Sequence, residues 1–392
     1  MSYKCIVASV FLIVKAPYSI FCFLKTPIDK SSLIIIIIIS IATNIYTKRG
    51  IVQMSKNNFE DKSFLTYNQQ MKKLRKDKKI LCNGSEHKKI LIRAGYFNII
   101  NGYKTPFTCG TDSDGNHNYI PDTSIDQIYR VKLFDDSLRS LLLKYITQIE
   151  EEVRTLTGYK FDECNGYGSI AWYDTSAYSP DSTLQNKMGT ISKAYNELSR
   201  SQLDYVKFYM ENHKKIPTWI MIKVVNFSTF IDVINYGKTE VSHSICKLYD
   251  MVDEDEHPMV KLLIGSLHWL RRIRNSCAHN ERIYCLSRSI NQNRSTGRII
   301  EKYFRSLRRA YTRDREQRIF DLLIYFKYYL PYKEYQQFIS ELKEMLLDLK
   351  DNIDFNAFEY IRAQMGIKNL DDLDIIVSLP KKDIDYNKYD KS

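Results

Sequence analysis

Apolar side chains return every three or four residues at Ile128, Val131, Phe134, Leu138, Leu141, Leu142, Tyr145, Ile149 and Val153. This is the helical period sustained over about seven turns, with one apolar stripe and a polar opposite face. A helix of that length is stable only when its stripe is covered. The rest of the chain offers further helices to cover it. Pro217 suits the first turn of a helix over IPTWIMIKVVNFSTFI. Two amphipathic segments, Ile319–Tyr329 and 335–349, are separated by Pro331. Turn-rich loops are expected at 110–124 and 158–182, and an acidic connector at 252–258. Strand alternation is absent and no glycine-rich phosphate loop is present. The simplest architecture is an all-α bundle. On its long helix Asp135 and Arg139 sit one turn apart and are placed to pair.

The segment LHWLRRIRNSCAHNERIY is also helical in pattern, and it carries the chemistry. Arg274, Asn275 and His279 fall within six residues, flanked by Arg271, Arg272, Arg282 and Arg288. An imidazole moves protons near neutral pH, and a guanidinium holds a phosphate and its developing charge. Together they are what metal-independent RNA cleavage needs. On an ideal helix over 261–282, Leu263, Leu267, Leu270, Ile273 and Cys277 form an apolar sector. His268, Arg272, Asn275, His279 and Arg282 form the opposite stripe, within about 80° of one another. Arg274 lies about 140° from His279, inside the apolar sector. It is then a structural ion pair with Asp135 or Glu150, or the helix ends or distorts near Cys277, or the sector is a dimer seam that brings Arg274 to the His279 of a second subunit. The expected catalytic residues are Arg274, His279 and Asn275. The ribose 2′-hydroxyl attacks the adjacent phosphate and leaves a 2′,3′-cyclic end, so DNA is not a substrate.

The chain has 392 residues and a net charge of +12. From 288 to 318 there are ten Lys or Arg against three Asp or Glu. This basic segment directly follows the motif and suits an RNA backbone. Arg271, Arg272, Arg282, Arg305, Arg308 and Arg309 are the expected RNA-binding residues. The competing expectations are a non-catalytic RNA-binding module, which needs the basic segment but not His279, and a membrane-associated effector. The eight cysteines include no C-x-x-C pair, the pattern of a reduced, cytoplasmic protein. Cys277, His279 and Cys285 do not converge as a zinc site on one helix. No metal and no cofactor are expected.

Residues 1–53 form an apolar leader around LIIIIIISIA, short for a membrane span. Met54 opens MSKNNFEDKSFLTYNQQ, which reads as the true start, with the leader upstream of it. Membrane association is expected only if the leader is translated. The body divides into an N-terminal helical region over 54–118, a bundle over 119–370 and a polar tail over 371–392.

The motif R-N-x-C-A-H-N-x-R, followed by Ile283 and Tyr284, resembles the signature of the abortive-infection Abi-like proteins, the AbiD/AbiF group. That group lies in the HEPN superfamily, whose RNase motif R-x4–6-H is matched by Arg274 and His279. Further blocks fit in order: FLTYNQQ from Phe64, GYFNIINGYK from Gly95, FDDSLR from Phe134, Ile216 to Trp219, and Met365-Gly366. The resemblance implies a HEPN-like helical bundle with additional N- and C-terminal helices, and a toxin or phage-defence role. It also implies a metal-independent RNase site completed in a homodimer, RNA as substrate, and an RNA or protein antitoxin as partner. Some relatives carry R-x4–6-H-x-Y, the tyrosine being modified by a partner enzyme. Here that position is Glu281, so this regulation is not expected.

Overall fold

The computed structural model describes residues 63–113, 115–253, 255–289 and 316–381. The leader over 1–53, the start at Met54, and Arg305, Arg308 and Arg309 of the basic segment lie outside these residues. The described residues from Leu65 onward form one compact unit.

The unit is helical, as the periodicity requires. Its first helices are α1 (Tyr67–Asp77), α2 (Gly84–Ala94) and the long α3 (Ile125–Cys164). Next come α4 (Leu184–Arg200), α5 (Asp204–Asn212), α6 (Thr218–Val224), α7 (Phe227–Tyr236) and α8 (Thr239–Leu248). The series closes with α9 (Val260–Ala278), α10 (Ile319–Tyr329), α11 (Tyr332–Asn352), α12 (Phe355–Gln364) and α13 (Asp371–Ser378). Two short antiparallel ladders interrupt it. Strands β1 (Thr108–Thr111) and β2 (His117–Tyr119) form a hairpin inside the stretch read as a turn-rich loop. Strands β3 (Arg288–Ser289) and β4 (Glu316–Gln317) pair at the two ends of the basic segment.

Helix α3 is the spine. It is 40 residues long, about 60 Å. The Ser124 hydroxyl caps it by accepting from the Gln127 amide at 3.2 Å. Every residue of the sequence stripe is buried. Helices α6, α8, α9 and α11 pack along it. The helix runs to Cys164, so the first residues expected in the 158–182 loop are its last two turns. Gly158 allows this. A Cβ there would stand 3.2 Å from the Ile222 side chain, so the missing side chain lets α6 approach closely.

Two expectations near the C-terminus change. Ile319–Tyr329 is not amphipathic: every residue of α10 is buried, and the helix packs between α9 and α11. Its Lys327 is satisfied internally, donating to the Ile376 and Val377 carbonyls at 2.8 Å each. Burial, reinforced by Lys381, pushes this ammonium down to about 8. The accepting carbonyls belong to the last turn of α13, within the segment expected to be a polar tail. Leu373 and Ile376 bury α13 against α11. Three acidic residues in its first turn suit a helix N-terminus. No helix among the described residues is long and apolar enough to cross a membrane.

Candidate active site

Helix α9 carries the Arg/His motif. Its expected apolar sector, Leu263, Leu267, Leu270, Ile273 and Cys277, is buried within a single chain. The helix packs on α3, α7, α8 and α10. The sector is therefore core, which removes the idea that it forms a dimer seam. Burial also pushes the Cys277 thiol up to about 12 and raises Cys285.

The helix does not run on to Arg282 as the ideal plot assumed. It ends at Ala278, with His279 as its C-cap. Asn280 follows in the left-handed region at φ 55°. The Asn280 amide donates to the Cys277 carbonyl at 3.2 Å, and the Glu281 amide to the Ser276 carbonyl at 3.0 Å. This paired geometry is a Schellman stop, with asparagine in the position that glycine usually fills. The Ser276 hydroxyl donates to the Glu281 carboxylate at 2.5 Å and locks the turn further. His279 is thus exposed at the end of a rigid helix rather than along its flank.

The turn is held from below by α3. Asp135 is fully buried. Its carboxylate accepts the amides of Ile283 and Tyr284 at 3.0 and 2.9 Å, and the Tyr103 hydroxyl at 3.0 Å. Arg139 donates to the same carboxylate at 2.8 Å and to the Glu281 carbonyl at 3.2 Å. The Asp135–Arg139 pair expected from sequence is therefore present, and it holds the irregular segment 281–284 that leaves the motif. Burial raises the Asp135 carboxyl, against the pull of the Tyr284 amide, Arg139, Tyr103 and the Ile283 amide. Asn280, Ser276, Glu281 and Asp135 were not among the expected site residues. An asparagine just after a helical run is a stop signal that could have revealed the first.

Arg274 escapes the apolar sector because a polar cavity opens beside it. Its side chain is 41% exposed, and its Nε stands 3.8 Å from Glu150. Of the two partners expected, Glu150 is the one found, since Asp135 is taken by Arg139. The cavity has a volume of about 450 Å³ and includes Glu150, Arg154, Lys223, Arg271, Arg274 and Asn275 in its wall. Arg154 is fixed by Glu150 at 2.7 Å, by the Ile222 carbonyl at 2.5 Å, and by stacking over Phe230 at 4.6 Å. The Arg271 Nε is buried with no hydrogen-bond partner among the described residues. Asn275 accepts from Arg274 at 3.3 Å. Four basic side chains thus share one lining carboxylate, an arrangement that attracts an anion.

His279 lines neither this cavity nor a second, larger cleft on the other side of the stop. Asn275 lies one turn before it on the helix and lines the cavity. Arg272 is exposed, and Arg282 donates to the Gly102 carbonyl at 2.8 Å, which ties the post-motif loop to the segment before β1. Among the described residues, Asp253, Asp255 and His257 bring possible ligand atoms within 4.8 Å of one another. The Asp253 carboxylate, however, accepts the loop amides of Asp255 and His257 at 3.0 and 2.8 Å, an ordinary Asx turn.

Residues 89–285 match the family model described as Abi-like protein. The span contains GYFNIINGYK, FDDSLR and the whole Arg274–His279 motif with the loop that follows it, and leaves FLTYNQQ and Met365-Gly366 outside. No match was found among curated proteins or solved structures.

Proposed function

The chain belongs to the Abi-like protein family, and on that premise we propose that it is a metal-independent endoribonuclease acting in abortive infection of the HEPN type. The observation that carries this reading is the cavity in which Arg274 and Asn275 sit with an excess of positive charge, one helical turn from an exposed His279. A phosphate entering it meets Arg274, whose 3.8 Å approach to Glu150 is too long for a hydrogen bond and whose bond to Asn275 engages one of its amino groups. Asn275 orients the phosphate or the imidazole. His279 takes the proton from the 2′-hydroxyl or delivers one to the 5′-oxygen. The 2′-oxygen–phosphorus bond forms as the phosphorus–5′-oxygen bond breaks, giving a 2′,3′-cyclic phosphate and a 5′-hydroxyl. Charge gathering on the non-bridging oxygens is stabilised by Arg274.

Within one chain Arg274 lines the cavity while His279 lies at the helix end outside it. A homodimer in which the His279 of one copy meets the Arg274 of the other joins them at one phosphate. The covered apolar sector means that such a dimer uses other surfaces of the molecule. The basic segment after the motif supplies further contacts to the RNA backbone, and an RNA or protein antitoxin would act by covering this face.

Purified protein incubated with total RNA in EDTA tests the reading. Wild type is expected to cleave, with His279→Ala and Arg274→Ala each reduced by at least about 100-fold. Equal cleavage by wild type and His279→Ala, or by none, would remove it. The second reading, a non-catalytic RNA-binding module, is favoured by His279 standing outside both clefts. Its signature is a gel shift that persists in His279→Ala with no cleavage by any variant.

A further inference from the structure

The segment from Gly95 to Lys104 has no part in the chemistry above, yet it folds in an uncommon way. Phe97–Asn101 is a single π-helical turn, a geometry found often at functional sites. The turn buries Ile99 and Ile100 in the core. It leaves Phe97, Asn98 and Asn101 on the wall of a cleft of about 1120 Å³. Phe97 is 72% exposed, so its ring is open to solvent where it lines the cleft. No hydrogen bond among the described residues engages the Asn98 or Asn101 amide groups.

The lining also includes Asn280, Glu281 and Arg282, from the turn that follows His279. Lys132 and Asp136 of α3 line it too and pair at 2.6 Å. Arg93 of α2 belongs to the lining and is exposed. The cleft therefore offers an open aromatic face, two side-chain amides with donors and acceptors, and cations in its lining. It is also continuous with the end of the proposed catalytic helix.

We propose that this cleft reads an unpaired base of the RNA strand, a deepening of the nuclease reading on which it rests. One base stacks on Phe97. Asn98 and Asn101 hydrogen-bond its edge, and the adjoining phosphates lie toward Arg93 and Arg282. Stacking accepts any base, whereas an amide's paired donor and acceptor discriminate among base edges. Phe97 thus supplies affinity, and the two asparagines supply the sequence preference of cleavage. A strand passing His279 enters the cleft directly, because residues 280–282 belong to both.

The test uses the full chain and a 2′-O-methyl oligoribonucleotide carrying 2-aminopurine. The methyl group removes the attacking hydroxyl, so binding is read even if the protein cleaves nothing. We expect quenching of 2-aminopurine on binding and about a tenfold loss of affinity in Phe97→Ala. Recovery is expected in Phe97→Trp. Asn98→Ala and Asn101→Ala should keep the quenching but narrow the affinity differences among oligonucleotides that vary at one base. A mononucleotide should compete at least about tenfold more weakly than the oligonucleotide, because it lacks the neighbouring phosphates. Folding of each variant is checked by thermal unfolding, and the exposure of Phe97 makes its removal tolerable. Absence of binding, or equal binding and quenching by wild type and Phe97→Ala, would overturn the proposal. Equal competition by a mononucleotide would overturn the strand assignment. None of these outcomes depends on whether RNA is cut.

Discussion

Asp135 shows how one buried side chain sets the geometry around the motif. With two backbone amides, a phenol and a guanidinium converging on it, the carboxylate replaces the water it has lost. Removing it leaves those donors and the Arg139 charge unmet in the interior. Asp135→Ala is therefore expected to lower stability by about 3–5 kcal/mol, measured by urea unfolding. Asp135→Asn is the milder probe. It retains the shape but has one carbonyl acceptor in place of two carboxylate oxygens, so it should loosen the loop at Ile283 and Tyr284. Amide hydrogen exchange at those two residues should rise in Asp135→Asn. Unchanged exchange there would show that Asp135 is not what holds the loop. The partners of Asp135 are 148 and 149 residues away, which explains why spacing alone found Arg139 and missed the amides.

At the scale of elements, the helix stop decides where His279 points. Asn280 adopts φ 55°, a conformation that a β-branched residue strongly resists. Asn280→Val is expected to cost about 1–2 kcal/mol, whereas Asn280→Gly should unfold at the same denaturant concentration as wild type or higher. Equal midpoints for Val and Gly would mean that the stop imposes no such demand. The elements differ in how plainly the sequence announced them. The stripe of α3 was clear because one face is apolar and the other polar over many turns. The all-round burial of α10 left no contrast to read, so IFDLLIYFKYY passed for amphipathic. An ideal helix places Arg274 in the apolar sector, but its exposure depends on a cavity built by α6, α7 and Glu150, which no local pattern encodes. The Schellman stop was visible only in the identity of Asn280.

The whole molecule is closed at its C-terminal end by Lys327, which ties α10 to α13. Its ammonium is depressed to about 8, below the ordinary lysine value, so the unfolded chain binds more protons between about pH 8 and about pH 10.4. In that window the contribution of this group to stability rises with pH, as the cost of a buried charge is relieved. The neutral amine still has two donors for its two carbonyls. Urea midpoints at pH 7 and pH 9.5 should therefore shift in favour of wild type relative to Lys327→Met. A constant difference would contradict the depressed value.

Assembly belongs to the same scale. If Arg274 and His279 meet across two copies, mixing inactive Arg274→Ala and inactive His279→Ala should restore about a quarter of wild-type cleavage, since half of randomly paired dimers carry one intact site. No restoration would place both groups in one chain.

The nature of the cut ends tests the chemistry most directly. Fragments released from RNA in EDTA by the wild-type chain should end in 2′,3′-cyclic phosphate and begin with 5′-hydroxyl, and His279→Ala should yield none above background. Fragments ending in 3′-hydroxyl, or the same cyclic ends in undiminished yield from His279→Ala, would contradict cleavage by this imidazole and the 2′-oxygen.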